Sequence, residues 1–485
     1  MKLKNIILIT IDALRADHLG CYGYERNTSP NIDRLAKEGI LFKKAIANAP
    51  YTTASITALQ TSTYPLIPER NYTDLSKRLT LAEVLNKAGF FTIGVHSNPW
   101  FSIYNYDKGF IKFVDPMNKT NTNIRKRFLS KIKKLLSNYI SENSLTYKIV
   151  RKVYSFIRKE KLILPYARAE NINDTVISCL KDLDKEINKF YLWIHYMDVH
   201  EPYIPEKFYF SHEISNEETK KLMNKVMYNH PDISFEERKT IVDLYDNKIK
   251  YLDYRIGELL VNLEKLCDLD KTLLIVTGDH GEALGERGYF GHGGRGRSII
   301  FFDEMLHVPL IIWSRSKENL INFYKSGEFE RQVGLIDIAP TILDMLGIEK
   351  PKTFMGESLL RNPFEKPIIS QGIQCIDPNQ AKYFKEGVQI HSYRTNYYKL
   401  IYREDGHIEL YDLEKDPVEM QNIAKDNPEV VTKLRKQLFE FIESLKQKSG
   451  VKEVVEKRGK GKKEKYFEED EELIKERLRA LGYLE

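Results

Sequence analysis

Residues 6–11 read Ile-Ile-Leu-Ile-Thr-Ile, a nearly unbroken apolar run that ends on Asp12. Without polar alternation, such a run predicts a strand buried on both faces of a parallel sheet. Similar runs occupy residues 40–42, 90–96, 190–195, 272–277 and 307–313. Between them apolar residues recur at helical spacing. The first helix is predicted from Pro30, with Ser29 as N-cap and Gly39 as its stop. Further helices are expected at 81–88 before Gly89, 172–183, 241–266, and 336–346 before Gly347. Alternating strands and helices indicate an α/β domain built on one large sheet.

The pattern changes at about residue 351. Loops containing proline precede two alternating segments, 397–402 and 408–413, and the Glu404-Asp405-Gly406 between them suits a hairpin turn. A helix at 428–445 follows. The expected division is therefore a large α/β domain over 1–350 and an antiparallel-sheet subdomain over 351–447. A charged tail with a short terminal helix is expected over 448–485. Residues 118–162 interrupt the first domain: Ile124, Phe128, Ile132 and Leu135 keep helical spacing among lysines and arginines.

Charge sharpens the picture of that insertion. The whole chain carries +6, yet residues 119–161 hold 13 Lys/Arg against only Glu142 and Glu160, or +11, which leaves −5 for the rest. The insertion is read as a solvated basic helix packing on the body, with contact to an anionic surface as the alternative. Local basicity of this kind gives no reason to expect specific nucleic-acid binding. The four cysteines are widely separated and form no CxxC pair, which suits a reducing compartment. The opening apolar run is short for a secretory leader and leads straight into Asp12. No stretch offers about 20 consecutive apolar residues. A cytoplasmic protein is the expectation, and oligomeric state leaves no signal.

Chemistry gathers where strands are predicted to end. Open α/β sheets bind ligands beyond the carboxyl ends of their strands. Asp12 lies at one such end, Asp198 and His200 at a second, Asp279 and His280 at a third, with His292 shortly after. Carboxylates and imidazoles gathered from separate strands are a common way to hold a divalent metal. Pro50 leads into a hydroxyl-rich segment, Thr52-Thr53-Ala54-Ser55, read as a helix N-terminus facing an anion. Each feature alone has an ordinary structural explanation, such as a capping Asp or Thr; their joint placement at strand ends is the stronger evidence, and spacing alone does not name a reaction.

These stretches resemble one family, the sulfatases and their relatives in the alkaline phosphatase superfamily. Ile11-Asp12-Ala13-Leu14-Arg15-Ala16-Asp17-His18 looks like the family's first metal-ligand strand. His195-Tyr196-Met197-Asp198-Val199-His200-Glu201-Pro202-Tyr203 is similar to its substrate-histidine strand. Thr277-Gly278-Asp279-His280-Gly281-Glu282 is its most recognisable signature. The resemblance implies a three-layer sandwich around a large, mostly parallel sheet, with a small C-terminal α+β subdomain. It implies Asp12, Thr52, Asp279 and His280 as metal ligands. His200 and His292 would act in catalysis and hold the substrate, joined by Arg15 and Asp198. One divalent ion (Mg, Mn or Ca, with Zn or a two-metal site as the alternative) is expected.

One departure matters. Where the family carries Cys/Ser-x-Pro-x-Arg, oxidised to formylglycine, this chain reads Thr52-Thr53-Ala54-Ser55-Ile56. Formylglycine is not expected. Thr52 instead resembles the nucleophile of phosphodiester-cleaving and phosphoglycerol-transferring branches. The expectation is a hydrolase of phosphate or sulfate esters, phosphoester favoured, acting on a small molecule or lipid headgroup. A sulfuric ester hydrolase, a phosphoglycerol-type transferase and a non-catalytic binding protein remain open alternatives.

Overall fold

The computed structural model describes residues 3–67, 75–119, 164–184, 186–205, 214–227, 230–292, 299–321, 328–360, 366–375 and 387–448, with Arg477 and Leu481. The basic insertion and nearly all of the charged tail lie outside the described residues.

The apolar runs form the middle of a nine-stranded sheet. Its strands are β1 Asn5–Ile11, β2 Ile40–Ile46, β3 Phe91–Val95, β4 Lys112–Val114, β5 Phe190–Tyr196 and β6 Thr272–Gly278. The hairpin β7 Ala283–Leu284 with β8 Phe290–Gly291 stands apart, and β9 His307–Val308, β10 Leu310–Trp313 and β11 Glu328–Gly334 complete the large sheet. The order is β11-β2-β10-β6-β1-β5-β3-β4, with β9 alongside β2. Strand β1 is parallel to both β5 and β6, and β3 is parallel to β5 and β4. The sheet is mostly parallel; β10 runs antiparallel to β2 and β6. The expected 307–313 strand is divided by Pro309, which has no N–H to donate to a ladder.

Two apolar cores cover the two faces. Ile7, Ile9 and Ile11 of β1 face helices Pro30–Glu38, Ala169–Lys181 and Phe235–Leu266. Ile6 and Leu8 face helices Thr52–Thr61, Leu81–Lys87 and Ile338–Met345. This double covering explains the missing polar alternation in β1, β5 and β6, all seven residues of which are buried in each strand. The long helix begins at Phe235, before the expected 241, because Ser234 and Glu237 make a reciprocal capping box there. Ser29 does occupy the N-cap of the first helix, but its side chain does not cap. Asp253 accepts the backbone N–H groups of Asn31 and Ile32 instead, at 3.0 and 2.8 Å.

The small sheet is antiparallel, with strands β12 Ile368–Cys375, β13 Gly387–Arg394, β14 Tyr398–Arg403 and β15 Ile408–Asp412 in that order. The expected hairpin joins β14 and β15, and Gly406 takes φ 95° in its turn. Strands β12 and β13 fall in a region read as loop and strand-poor from sequence. Helix Pro428–Lys448 packs on this sheet through Leu434, Leu438 and Ile442. No helix among the described residues is long and apolar enough to cross a membrane.

Candidate active site

Register brings the strand ends together. Ile11 pairs with Tyr196 on one side and Gly278 on the other, so the residues that follow emerge at one edge. The Asp12 N–H donates to Tyr196 O at 2.9 Å, and the Asp279 N–H to Ile11 O at 3.3 Å. Space there is tight: a Cβ on Gly278 would lie 2.5 Å from Leu14 O, and one on Gly281 only 2.0 Å from Glu304 O. Ala13 turns the chain with φ 60°, a left-handed conformation costly for a residue with a Cβ. The turn lets its N–H reach Asp279 Oδ1 at 3.3 Å, while its carbonyl accepts the Tyr245 hydroxyl at 2.6 Å.

Thr52 opens helix Thr52–Thr61, all ten residues of which are buried. Its hydroxyl donates to Asp12 Oδ2 at 3.2 Å and stands 3.1 Å from His280 Nε2. The first turn of a helix also leaves backbone N–H groups unpaired and a positive dipole end, a setting for an anion. Ser55, one turn on, donates its hydroxyl to Asp279 O at 2.5 Å and pins the helix to the end of β6.

The histidines are oriented by their Nδ1 atoms. His280 donates Nδ1–H to Gly281 O at 2.7 Å, and His200 to Glu201 O at 2.5 Å. A carbonyl only accepts, so the Nε2 atoms of both are free of that proton. His292 Nδ1 lies 2.9 Å from Glu282 Oε1. The His292 ring sits 4.6 Å from that of His200 and 4.5 Å from that of His280, centroid to centroid.

Electrostatics asks for a cation. Asp12 and Asp279 are both fully buried. Burial works against the Asp12 charge, yet His200, His195 and His280 hold its carboxyl well below the usual range. Burial and the neighbouring Asp12 push Asp279 well above its ordinary value. Burial, with His292 beside it, takes His280 down to about 3, so it is neutral. Among the described residues, Asp12 Oδ1 and Asp279 Oδ2 accept no hydrogen bond. Leaving buried carboxylate oxygens unmatched is costly unless something positive meets them. Ligand atoms of Asp12, Asp279 and His280 all lie within 4.8 Å of one another, and so do those of Asp12, His200 and His292. This hard-oxygen and imidazole donor set fits a divalent cation.

Comparison with known proteins now decides the family. Residues 4–348 match the family model described as Sulfatase. The chain belongs to the sulfatase family. Residues 285–448 also match the model described as N-sulphoglucosamine sulphohydrolase, C-terminal. An arylsulfatase of Clostridium perfringens is 24% identical over 90% of this chain and 94% of its own. An N-acetylglucosamine-6-O-sulfatase of Bacteroides thetaiotaomicron is 32% identical over 40% of this chain and 33% of its own. The crystal structure of the phosphonate monoester hydrolase of Agrobacterium radiobacter superposes with TM-score 0.66 at 20% identity, covering 91% and 96% of the two chains. This sulfatase-family chain is thus an ester hydrolase by membership, with the family's large parallel sheet and small antiparallel one.

Within this sulfatase fold the remaining residues named from sequence take distinct places. Arg15 is buried. Its guanidinium donates to both Asp17 carboxylate oxygens, to Glu282 O and to Glu286 Oε1, each at 2.7–2.9 Å. Asp198 belongs to neither ligand group; its Oδ1 accepts the Ala169 N–H at 3.1 Å, at the start of helix Ala169–Lys181. Two further residues went unassigned in the sequence. His195 stands with Nε2 3.4 Å from Asp12 Oδ2 and Nδ1 2.9 Å from Thr10 Oγ1, backing the carboxylate. Glu282 bridges His292 and the Tyr203 hydroxyl, the latter at 2.9 Å. The signal for His195 was its place on β5 directly beside Thr10 of β1. That for Glu282 was its buried carboxylate two residues after His280.

Proposed function

We propose that this chain is a metal-dependent hydrolase of phosphorus esters, phosphate or phosphonate, that uses the unmodified Thr52 hydroxyl as nucleophile. The observation that carries the reading is the position of Thr52 Oγ1, within 3.2 Å of Asp12 Oδ2 and 3.1 Å of His280 Nε2. Asp12, Asp279 and His280 would hold one divalent cation, whose charge would stabilise the Thr52 alkoxide and the negative charge growing on the ester oxygens. Mg, Mn and Ca suit the two carboxylates, and Zn suits the imidazole. His200 and His292 are left to face the substrate.

Thr52, its hydroxyl proton first released to solvent, attacks phosphorus through Oγ1 as the bond to the leaving alcohol breaks in line. His292 gives that alcohol its proton. Burial opposes the charge on His292, but Glu282 beside Nδ1 outweighs it and raises the imidazole above its ordinary value. Water then attacks the phosphorus of the phospho-threonine, neutral His292 accepts its proton, and the bond from phosphorus to Oγ1 breaks to return the Thr52 alkoxide. A formylglycine hydrate carries a second hydroxyl and expels sulfate by collapsing to the aldehyde. Thr52 has one hydroxyl and lacks that route, so its intermediate has to be opened at the central atom. This difference favours phosphorus over sulfur.

The test pairs wild type with Thr52→Ala and Thr52→Ser on aryl phosphate monoesters, diesters, phosphonate monoesters and sulfates, each with Mg, Mn, Ca and Zn. Thr52→Ala is expected to lower kcat on the order of 10³-fold or more, and Thr52→Ser to retain most of it. A phosphate adduct on the peptide containing residue 52 is expected after acid quench. Equal turnover by wild type and Thr52→Ala overturns the nucleophile; dominant sulfatase activity overturns the substrate preference.

A further inference from the structure

The edge of the sheet that carries the active site is also gripped from far along the chain. Arg477 is only 4% exposed and Leu481 2%, and the Leu481 N–H donates to Arg477 O at 3.0 Å, one helical turn. Arg477 Nη1 meets Asp115 Oδ2 at 2.6 Å, Nε donates to Pro165 O at 2.9 Å, and Nη2 donates to Ser97 O. Ser97 follows β3 and Asp115 follows β4, so three of the loops at the carboxyl edge converge on one guanidinium. Leu481 packs with Tyr166 and Met197 in a small apolar cluster of its own.

Those two neighbours lead directly to His200. The Tyr166 hydroxyl donates to His200 O at 3.2 Å, and the His200 N–H donates to Met197 O at 3.1 Å. The same loop supplies the Ala169 N–H to Asp198. A buried guanidinium with a carboxylate and two carbonyls is an expensive arrangement to build and a rigid one once satisfied. Arg477 is not part of the two apolar cores that cover the sheet.

We infer that Arg477 and Leu481 form a latch that sets the position of the His200 loop, making them positioning residues for the hydrolytic reaction. The inference rests on the reading of His200 as a substrate-facing group. Arg477 fixes the backbone at Pro165, Leu481 fixes the ring of Tyr166, and Tyr166 hands that order to His200. Displacing a substrate-positioning group by about an ångström costs on the order of a hundredfold in rate.

The test compares full-length wild type, Arg477→Ala, Arg477→Lys and Leu481→Ala, together with a chain ending at residue 475 to which a peptide spanning 470–485 is added. Hydrogen exchange at residues 197–203 and kcat and KM on an aryl phosphate ester are measured for each. Arg477→Ala and the shortened chain are expected to speed exchange at 197–203, leave β1 and β6 protected, and lower kcat about tenfold or more. Arg477→Lys, which keeps the charge, is expected to recover part of the rate, and the peptide to restore both readouts saturably. A peptide carrying Arg477→Ala is expected to restore neither. Unchanged exchange at 197–203, or faster exchange with unchanged kcat, overturns the latch. Activity surviving in Thr52→Ala overturns the nucleophile instead and does not touch the exchange result, so the two failures are distinguishable.

Discussion

Among the described residues, the buried charges at the junction with the small sheet and those at the strand ends solve the same problem in opposite ways. At the junction with the small sheet, Lys399 is fully buried and directs Nζ to Asp303 Oδ1 at 2.5 Å, Glu419 Oε1 at 2.6 Å and Phe301 O at 3.2 Å. Arg394 pairs with Asp303 Oδ2 at 2.8 Å, and Glu419 Oε2 accepts the Asp303 N–H at 2.7 Å. Two cations meet two anions; Lys399 hydrogen-bonds Asp303 Oδ1 and Phe301 O, and Glu419 Oε1 is held as its ion-pair partner without a hydrogen bond. At the strand ends, Asp12 and Asp279 face imidazoles and no lysine or arginine among the described ligand groups, and each keeps one oxygen without a hydrogen bond among the described residues. The first cluster meets its charges within the protein. Under the proposed reading the second takes its balancing charge from a bound cation, which would separate a structural ion network from a chemical site.

That contrast breaks most visibly under Asp-to-Asn exchange. Asp279→Asn removes a buried carboxylate that repels Asp12, so in cation-free buffer its melting temperature is expected to equal or exceed that of wild type. Its kcat/KM on an ester is expected to fall on the order of 10³-fold or more, about 4 kcal/mol. Calorimetry with chelator and a rate assay with cation together check it. A large loss of stability without cation would place Asp279 with the structural network.

Asp303→Ala should behave in the reverse sense. It strands Lys399 and Arg394 in the interior, and breaking such a pair costs about 3–5 kcal/mol. Denaturant unfolding is expected to show that loss, while the protein that remains folded keeps its KM.

Cation binding gives a smaller effect and a sharper discrimination. At a hundred times its dissociation constant, a ligand specific to the folded state adds about 2.7 kcal/mol. Manganese or magnesium is expected to raise the melting temperature of wild type and of a junction variant such as Glu419→Gln, and to leave Asp279→Asn unmoved.

The site was largely legible in the sequence because parallel strands in register end at one edge. A reader who recognises 6–11 and 272–277 as buried strands has already placed Asp12 beside Asp279 and His280. Thr52 was visible as the residue after Pro50-Tyr51 at the mouth of a helix. What stayed hidden depends on tertiary register or ring orientation. His195 touches Asp12 only because β5 pairs with β1, and Glu282 matters only because His292 Nδ1 turns towards it. Strands β12 and β13, Ile-Ile-Ser-Gln-Gly-Ile-Gln-Cys and Gly-Val-Gln-Ile-His-Ser-Tyr-Arg, fall in the stretch read only as loops containing proline. Their polar residues are buried against the catalytic domain: Ser370 donates its hydroxyl to Ala47 O at 2.6 Å, and Asn48 Nδ2 donates to Ile369 O at 2.9 Å. Ladder and packing override composition there. Arg477 was hidden for the same reason, since nothing local distinguishes it from the lysines and arginines around it.

The weakest expected effect probes the junction cluster through pH. Burial, with Asp303 close by, raises Glu419 from 4.5 to about 7, although Lys399 works to lower it. A carboxyl raised in the folded state binds its proton more tightly there than in the unfolded chain. Its stabilising contribution is therefore full below pH 4.5 and is lost as pH rises through about 7. Glu419→Gln cannot titrate, so the stability of wild type relative to this variant is expected to fall with rising pH. Between about pH 5.5 and 7.5 the fall should be about 2 kcal/mol, since one unit of displacement is worth about 1.4 kcal/mol. Urea unfolding of both proteins across that window measures it. A difference that stays flat would mean that Glu419 is ionised throughout, held by Lys399, and that the junction holds two full ion pairs at neutral pH. A falling difference would mean that the junction gives up one of its anions to a proton, and that even a cluster that meets its charges within the protein keeps its balance by titration when no external cation can enter.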